Sequence, residues 1–104
     1  MANDITIVRI YLREADKGRR ESLMNEILKL LHDEHRVRGV TVFRGVAGFG
    51  DTDEMHGADL LHSLTRLPLV IEFFDTSAKV EAAIDVLNGL LPPEHIISWT
   101  ASQR

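Results

Sequence analysis

The sequence predicts an α+β fold with the element order βαββαβ, in which a four-stranded antiparallel sheet carries two helices on one face. Three observations support this prediction. Four short segments are rich in β-branched and aromatic residues, and two other segments have apolar residues at helical spacing. The predicted strands and helices also follow one another along the chain in the order βαββαβ. A chain of 104 residues has room for one domain, and we expect residues 1–104 to form a single domain.

The first half of the chain predicts a strand, a helix and a second strand. Residues 5–12 are rich in β-branched residues and predict the first strand. We expect a break at Gly18, and from about Arg20 the apolar residues recur at helical spacing and predict the first helix. Residues 35–39 are expected to end that helix, and residues 40–46 predict the second strand.

The second half predicts the same kinds of element again. Pro68 is expected to open the third strand, residues 69–74, because proline is tolerated at the first residue of a strand. Residues 75–77 are candidates for the N-cap of the second helix, and the two prolines at 92–93 are expected to stop it. Residues 96–100 predict a short last strand.

This element order has one common compact solution, the ferredoxin-like arrangement, with both helices on one side of the sheet. Right-handed crossovers place the first and third strands in the centre. On the first strand, we expect one set of side chains to face the helices (Val8, Ile10, Leu12) and the other set to lie on the open face (Ile5, Ile7, Arg9, Tyr11).

The open face of the sheet predicts self-association. The third strand is apolar on both sides, so a monomer would leave a large apolar patch in water, and such patches usually mark interfaces. Arg9, Arg44 and Glu72 would then form paired charges inside the interface. The alternative is that these charged side chains stay exposed to water on an open face that no partner covers.

Composition excludes several classes of protein. The net charge of −4 argues against a nucleic-acid partner, and the absence of cysteine excludes disulfides and thiolate chemistry. No apolar run approaches the roughly 20 residues of a membrane helix, and residues 1–4 lead into the first strand without a signal-peptide core. We therefore expect a cytoplasmic protein.

A glycine cluster follows the second strand, at Gly45, Gly48 and Gly50. Glycine permits positive φ and close backbone approach, so amides at this point could cradle a phosphate. A hairpin bulge without a ligand explains the same residues. The cluster lacks a Walker lysine and does not open a helix, so neither a P-loop nor a Rossmann motif is present.

Histidines suggest a metal alternative, but no known spacing supports it. His32 and His35 lie three residues apart near a helix end, and His56 and His62 bracket the predicted loop. Loop carboxylates could add oxygen ligands, namely Asp51, Asp53, Glu54 and Asp59. Ser63 beside His62 has no orienting or oxyanion pattern. We therefore predict no catalytic residue and no enzymatic activity, and we identify no cofactor.

The segment Gly39–Gly50, which reads GVTVFRGVAGFG, resembles the second strand and following loop of the nitrogen-regulatory PII superfamily. Nearly the whole chain resembles an uncharacterised prokaryotic PII-like family with a Gly-x-Thr-Val-x-Arg-Gly motif, then Gly-Phe-Gly, a loop histidine (here His56), and a Leu-Pro strand that ends in an aspartate (here Asp75).

The resemblance implies a regulatory or sensor protein that forms a homotrimer of ferredoxin-like subunits. It also implies a small-molecule ligand, such as a nucleotide or an anion, in clefts between subunits. A mobile loop at residues 51–66 would dock on a partner such as a membrane transporter. The ligand-binding residues it implies are Gly48, Phe49 and Gly50, with Arg44 and Arg66 as nearby cations. A divalent-metal-binding trimer of the same architecture, with His56 and His62, is the alternative.

The chain departs from the PII pattern at three places, one of which is the basic C-terminal segment, reduced here to Arg104. Asp51-Thr52 stand where PII proteins carry Arg-Gln, and residues 92–95 have neither the glycines nor the lysine of the PII phosphate loop. A carboxylate at Asp51 would repel a polyphosphate unless a cation lies between them. The resemblance therefore supports a trimer for this chain more strongly than it supports ATP binding.

Overall fold

The computed structural model describes residues 3–12, 17–46 and 69–104. The strands are β1 (Asp4–Leu12), β2 (Gly39–Arg44), β3 (Leu69–Asp75) and β4 (Ile96–Ser102), and the helices are α1 (Lys17–Lys29), which continues as one π-helical turn (Leu30–Glu34), and α2 (Ser77–Leu87).

The sheet has the strand order β2-β3-β1-β4, and all three pairs of neighbouring strands are antiparallel. The predicted order of elements and the central position of β1 and β3 are thus confirmed. Each helix joins two parallel strands that are not neighbours, and the space between them is filled by a central strand of the other half of the chain.

Both central strands bury alternate residues beneath the helices. Val8, Ile10 and Leu12 of β1 are buried, as predicted, and β3 buries Leu69, Ile71, Phe73 and Asp75. The helices contribute Ile27 and Leu31 from the first helical segment and Val80, Ala83 and Leu87 from α2. The core therefore lies between one face of the sheet and both helices.

Each helix has a boundary that differs from the sequence prediction, while the strand bounds differ by one or two residues. The break expected at Gly18 is wrong, since α1 begins at Lys17 and Gly18 lies in its first turn, where the backbone amides need no intrahelical partner. The second helix ends at Leu87, before the two prolines. Asn88 is its C-cap, and its N–H donates to Ile84 O at 2.8 Å.

Thr76 is the N-cap of α2, as the sequence predicted for residues 75–77. Its backbone is extended, and its side-chain oxygen accepts a hydrogen bond from the Lys79 backbone N–H at 3.4 Å. The helix therefore begins immediately after Asp75, the last residue of β3.

No helix in the described ranges is long and apolar enough to cross a membrane.

Candidate functional site

The face of the sheet that is turned away from the helices is largely apolar. Paired residues on adjacent antiparallel strands present their side chains on the same face, so the register defines its members. They are Ile5, Ile7, Arg9 and Tyr11 of β1, Gly39, Thr41 and Phe43 of β2, Val70, Glu72 and Phe74 of β3, and Ile97, Trp99 and Ala101 of β4. We call this set the open face.

An ion pair lies in the middle of the open face. Arg9 and Glu72 are partners in the β1–β3 register, and Arg9 Nε donates a hydrogen bond to Glu72 Oε1 at 2.8 Å. The two side chains retain 41% and 26% exposure in the single chain. Hydrogen bonds from the guanidinium to Glu72 and then to Tyr11 raise the pKa of Arg9 above its ordinary value.

Two aromatic rings flank the Arg9 guanidinium. Its central carbon lies 5.8 Å from the centroid of Phe43 on β2 and 5.6 Å from the centroid of Trp99 on β4. Both distances are within the range of cation–π attraction. Arg9 therefore links the two outer strands across the open face, while its hydrogen bond fixes it to the neighbouring central strand.

Gly39 makes room for an aromatic ring on the same face. It pairs with Phe74, and a Cβ added at Gly39 would lie 2.5 Å from Phe74 Cε1. Glycine at this position therefore lets the Phe74 ring lie flat over the start of β2, which any side chain would prevent.

A buried carboxylate joins several elements at one end of the sheet. Asp75 accepts hydrogen bonds from the backbone amides of Arg38 (3.1 Å) and Thr76 (2.7 Å) and from Arg38 Nε (3.4 Å). Arg38 also donates to Gln103 Oε1 at 2.8 Å, just beyond β4. Lys79 Nζ lies 3.8 Å from Asp75 Oδ2. We call these residues the Asp75 cluster; they fix the start of β2 relative to β3, α2 and the end of β4.

A groove of about 680 Å³ runs between the first helical segment and β2. Apolar side chains including Leu28, Val37 and Val42 line it, with Lys29 and Arg38 among its polar residues. Its volume is within the range of small-molecule sites.

The turn before β4 lacks the features of an anion site. It borders a groove of about 310 Å³ whose lining includes Glu81 and Glu94 and contains no lysine or arginine. Glu94 has a φ of 70°, and His95 Nδ1 lies 3.0 Å from Pro93 O. The geometry agrees with the departure from the PII phosphate loop noted in the sequence.

Of the predicted ligand-binding residues, Arg44 alone lies in the described part of the chain. It is the last residue of β2 and pairs with Leu69, the first residue of β3, so residues 45–68 leave and return at the same end of the sheet. Gly48, Phe49, Gly50 and Arg66 lie outside the described residues, as do His56, His62 and the predicted loop 51–66. The ligand site therefore stays a prediction.

The remaining histidine candidates have local partners. His32 Nδ1 lies 2.8 Å from Asp33 Oδ1, and His35 is the C-cap of the π-helical turn, its N–H donating to Leu30 O. Among residues 3–12, 17–46 and 69–104, no three histidine or carboxylate side chains are grouped as a metal site would require.

Sequence reasoning missed the Asp75 cluster and the aromatic flanks of Arg9. Asp75 was identified only as a motif residue and N-cap candidate. One feature of the sequence could have indicated that Asp75 accepts backbone hydrogen bonds. Its carboxylate lies between an apolar strand and the start of a helix, where backbone amides have no intrahelical partner. No local sequence pattern identifies Arg38 and Gln103 as members of the cluster, because only the folded sheet brings them close to Asp75.

Comparison with known proteins confirms the predicted PII-like family and fold. The model of the DUF190 family, described as an uncharacterized ACR, matches residues 5–103. A UPF0166 protein of Methanocaldococcus jannaschii is 32% identical over 91 residues, which cover 82% of this chain and 82% of that protein.

Two solved structures have the same fold at low sequence identity. One is CPII from Thiomonas intermedia K12, bound to ADP and bicarbonate, with a TM-score of 0.62, 14% identity and coverage of 96% of this chain and 86% of that one. The other is the divalent ion tolerance protein CutA1 from Ehrlichia chaffeensis, with a TM-score of 0.60, 12% identity and coverage of 99% and 84%. At these identities the likeness establishes the fold.

Proposed function

The chain belongs to the DUF190 family, and from this premise we propose that it is a non-enzymatic PII-like regulatory or sensor protein. Each single-domain subunit would assemble into a homotrimer, bind a small ligand at the clefts between subunits, and present residues 51–66 to a partner protein such as a membrane transporter. A nucleic-acid partner is not part of the proposal, since the chain carries a net charge of −4.

The observation that carries the proposal is the composition of the open face. It displays Phe43, Ile97 and Trp99, exposed at 45%, 52% and 40%, around the central pair of Arg9 and Glu72. An apolar face with one positive and one negative charge is self-complementary, so copies of the chain can cover one another without an uncompensated charge.

The proposed ligand site lies against the backbone of Gly48, Phe49 and Gly50, with Arg44 and Arg66 as its cations. Arg44 at the end of β2 is the described residue that supports this position, because the segment carrying the three glycine-motif residues begins immediately beyond it. The fold's occurrence in a protein bound to ADP and bicarbonate supports a nucleotide or a simple anion as the ligand class. The small number of cations favours one phosphate or carboxylate over a triphosphate.

The test combines the oligomeric state with a ligand screen. Light scattering should give about three times the chain mass of 11.7 kDa, and thermal shift should respond to nucleoside monophosphates, cyclic nucleotides or bicarbonate. A monomer at micromolar concentration would refute the assembly. A response only to divalent metal ions that is lost in His56→Ala and His62→Ala would favour the metal-binding alternative, for which the CutA1 likeness supplies the fold alone.

A further inference from the structure

The helix side of the sheet carries the groove of about 680 Å³ between the first helical segment and β2. Val40 and Val42 of β2 line it, and they pair with Phe73 and Ile71 of β3. Both of these β3 residues are buried beneath the helices, so the two valines lie on the helix side of the sheet as well. The groove is therefore on the opposite side of the sheet from the open face.

The floor of the groove is apolar and rests on the core. Leu28, Val37 and Val40 are half-buried and pack against the buried core residues. Val42 keeps 37% exposure, although it lies on the side where the central strands bury their residues. A concave apolar surface of this kind gains free energy when the apolar part of a ligand removes it from water.

Two positively charged side chains border this apolar floor. Lys29 is the last residue of α1, Arg38 precedes β2, and both are exposed. Contacts with Asp75 and Gln103 hold the Arg38 guanidinium in place. Within the described part of the chain, these contacts use two of the five N–H donors that a guanidinium has. Because Arg38 is already held in one position, it loses little freedom when it binds an anion.

The charges that line the groove favour an anion. Among its lining residues in the described ranges there is one carboxylate, Asp33, and the Nδ1 atom of His32 lies 2.8 Å from its Oδ1 atom. Lys29 and Arg38 therefore leave an excess of positive charge along the groove. Complementary charge selects an anionic ligand over a cationic one.

Irregular backbone borders the groove on its helical side. The first helical segment ends in the π-helical turn Leu30–Glu34, which contains the lining residues His32 and Asp33. Arg36, immediately before the lining residue Val37, has a φ of 49°. Single π-helical turns and positive φ values outside glycine are uncommon, and both are found preferentially at functional sites. Their position here agrees with a ligand site in the groove.

We propose that the groove binds a small carboxylic acid that has an apolar body. The carboxylate accepts hydrogen bonds from Lys29 and Arg38, and the apolar body lies on Leu28, Val40 and Val42. All of these residues belong to one subunit, so the site needs no neighbouring copy. It goes beyond the proposed function, since it is separate from the clefts between subunits.

The first test is calorimetry on the full chain with three probes that separate the two parts of the ligand. Decanoate has both an apolar body and a carboxylate, acetate has the carboxylate alone, and decyltrimethylammonium has the same chain with the opposite charge. Decanoate, kept below the concentration at which it forms micelles, should bind once per subunit. The other two probes should bind at least roughly tenfold more weakly.

The second test changes the groove itself. Val42→Trp fills the groove and should abolish measurable decanoate binding. Val86→Trp is the matched control, since Val86 is 43% exposed on α2 and does not line the groove. Lys29→Glu should weaken decanoate binding roughly tenfold or more. Arg104→Glu makes the same change in net charge at an exposed residue outside the groove and should leave binding unchanged.

Circular dichroism verifies that each variant is folded, and if Val42→Trp is not, the comparison of Lys29→Glu with Arg104→Glu decides. No decanoate binding by the parent chain, or equally tight binding of decyltrimethylammonium, would overturn the proposal. Unchanged affinity in folded Val42→Trp would also overturn it. Loss of decanoate binding in Gly50→Val would assign the acid to the cleft between subunits instead. A monomeric parent chain that binds decanoate would refute the proposed trimer and leave the groove site standing.

Discussion

The Asp75 carboxylate at the end of β3 accepts a hydrogen bond from the Arg38 backbone amide at 3.1 Å, one residue before β2 begins. This contact joins two parts of the chain that are 37 residues apart. It fixes where β2 starts, and therefore where the chain leaves the sheet at Arg44 toward the proposed ligand site.

Replacement of Asp75 should destabilise the fold. Asp75→Ala leaves the amides of Arg38 and Thr76 without their acceptor in a site where Asp75 is only 2% exposed. Buried donors that lose a partner cost about 1–3 kcal/mol each, so we expect a loss of roughly 2–4 kcal/mol. Urea unfolding at fixed protein concentration measures it as a lower midpoint with an unchanged slope.

Asp85→Ala is the matched control for this variant. Asp85 is exposed on α2, so the same chemical change should alter stability by no more than about 0.5 kcal/mol. Equal stability of the two variants would show that the Asp75 cluster does not hold the sheet end together. Asp75→Asn keeps an acceptor oxygen and should fall between the two.

The Arg9–Glu72 pair should control assembly. If the open face is buried between subunits, Glu72→Ala leaves the Arg9 charge buried without its carboxylate partner. Arg9→Ala likewise leaves the Glu72 charge buried without its guanidinium partner. Each single variant should raise the concentration at which the trimer dissociates by roughly tenfold or more. Light scattering over a dilution series measures this effect.

A double variant distinguishes a buried pair from an exposed one. Arg9→Met with Glu72→Leu removes both charges and keeps apolar volume, which in buried sites is often neutral or stabilising. Assembly should therefore recover relative to either single alanine variant. If Glu72→Ala assembles as tightly as the parent chain, Glu72 lies in solvent and the open face is not the interface.

Gly39→Ala should weaken assembly more than it weakens the subunit. The added Cβ would lie 2.5 Å from Phe74 Cε1, so the ring would have to move, which would disturb the packing of any surface that covers the open face. Overpacking of an interface typically costs about 1–3 kcal/mol. Gly89→Ala is the control, since its Cβ would meet Val86 O at 3.4 Å in a turn. Equal assembly of both variants would argue against burial of Phe74 between subunits.

Much of the fold was predictable because local patterns agreed with the topology. The alternation in β1 and β3 identified which side chains face the helices, and Asp75-Thr76-Ser77 contained the N-cap of α2. The end of α2 was not predictable from the prolines, because Asn88 and Gly89 already favour termination four residues earlier. Helix boundaries depend on such weak preferences, whereas the choice of buried face depends on the whole hydrophobic pattern.

The site was less predictable for a physical reason. That Glu72 pairs with Arg9 rather than with Arg44 depends on strand register, which places Glu72 opposite Arg9 on β1 and opposite Thr41 on β2. The flanking of Arg9 by Phe43 and Trp99 requires strands that are distant in sequence. Short motifs such as Gly-Phe-Gly indicate family membership, but they do not specify where their residues lie in space. The ligand site that they imply therefore needs a direct test.

Gly50→Val provides that test of the ligand site. In the proposed site, glycine lets the main-chain amides approach a ligand without a Cβ between them, so valine should abolish binding. The change lies beyond β2 in the sequence, and we expect the trimer to remain intact by light scattering. Gly57→Val, the same substitution within the proposed loop, should leave ligand affinity nearly unchanged.

The same site predicts an order of ligands. Arg44 and Arg66 are the cations of the proposed site, and Asp51 directly follows the glycine motif in the sequence. The Asp51 carboxylate opposes a triphosphate more than a single phosphate, because repulsion grows with the ligand's charge. We therefore expect a nucleoside monophosphate, a cyclic nucleotide or a simple anion to bind more tightly than ATP in the absence of divalent ions, measured by calorimetry. Tight ATP binding without a divalent ion, or binding that Gly50→Val does not change, would place the ligand site elsewhere on the protein.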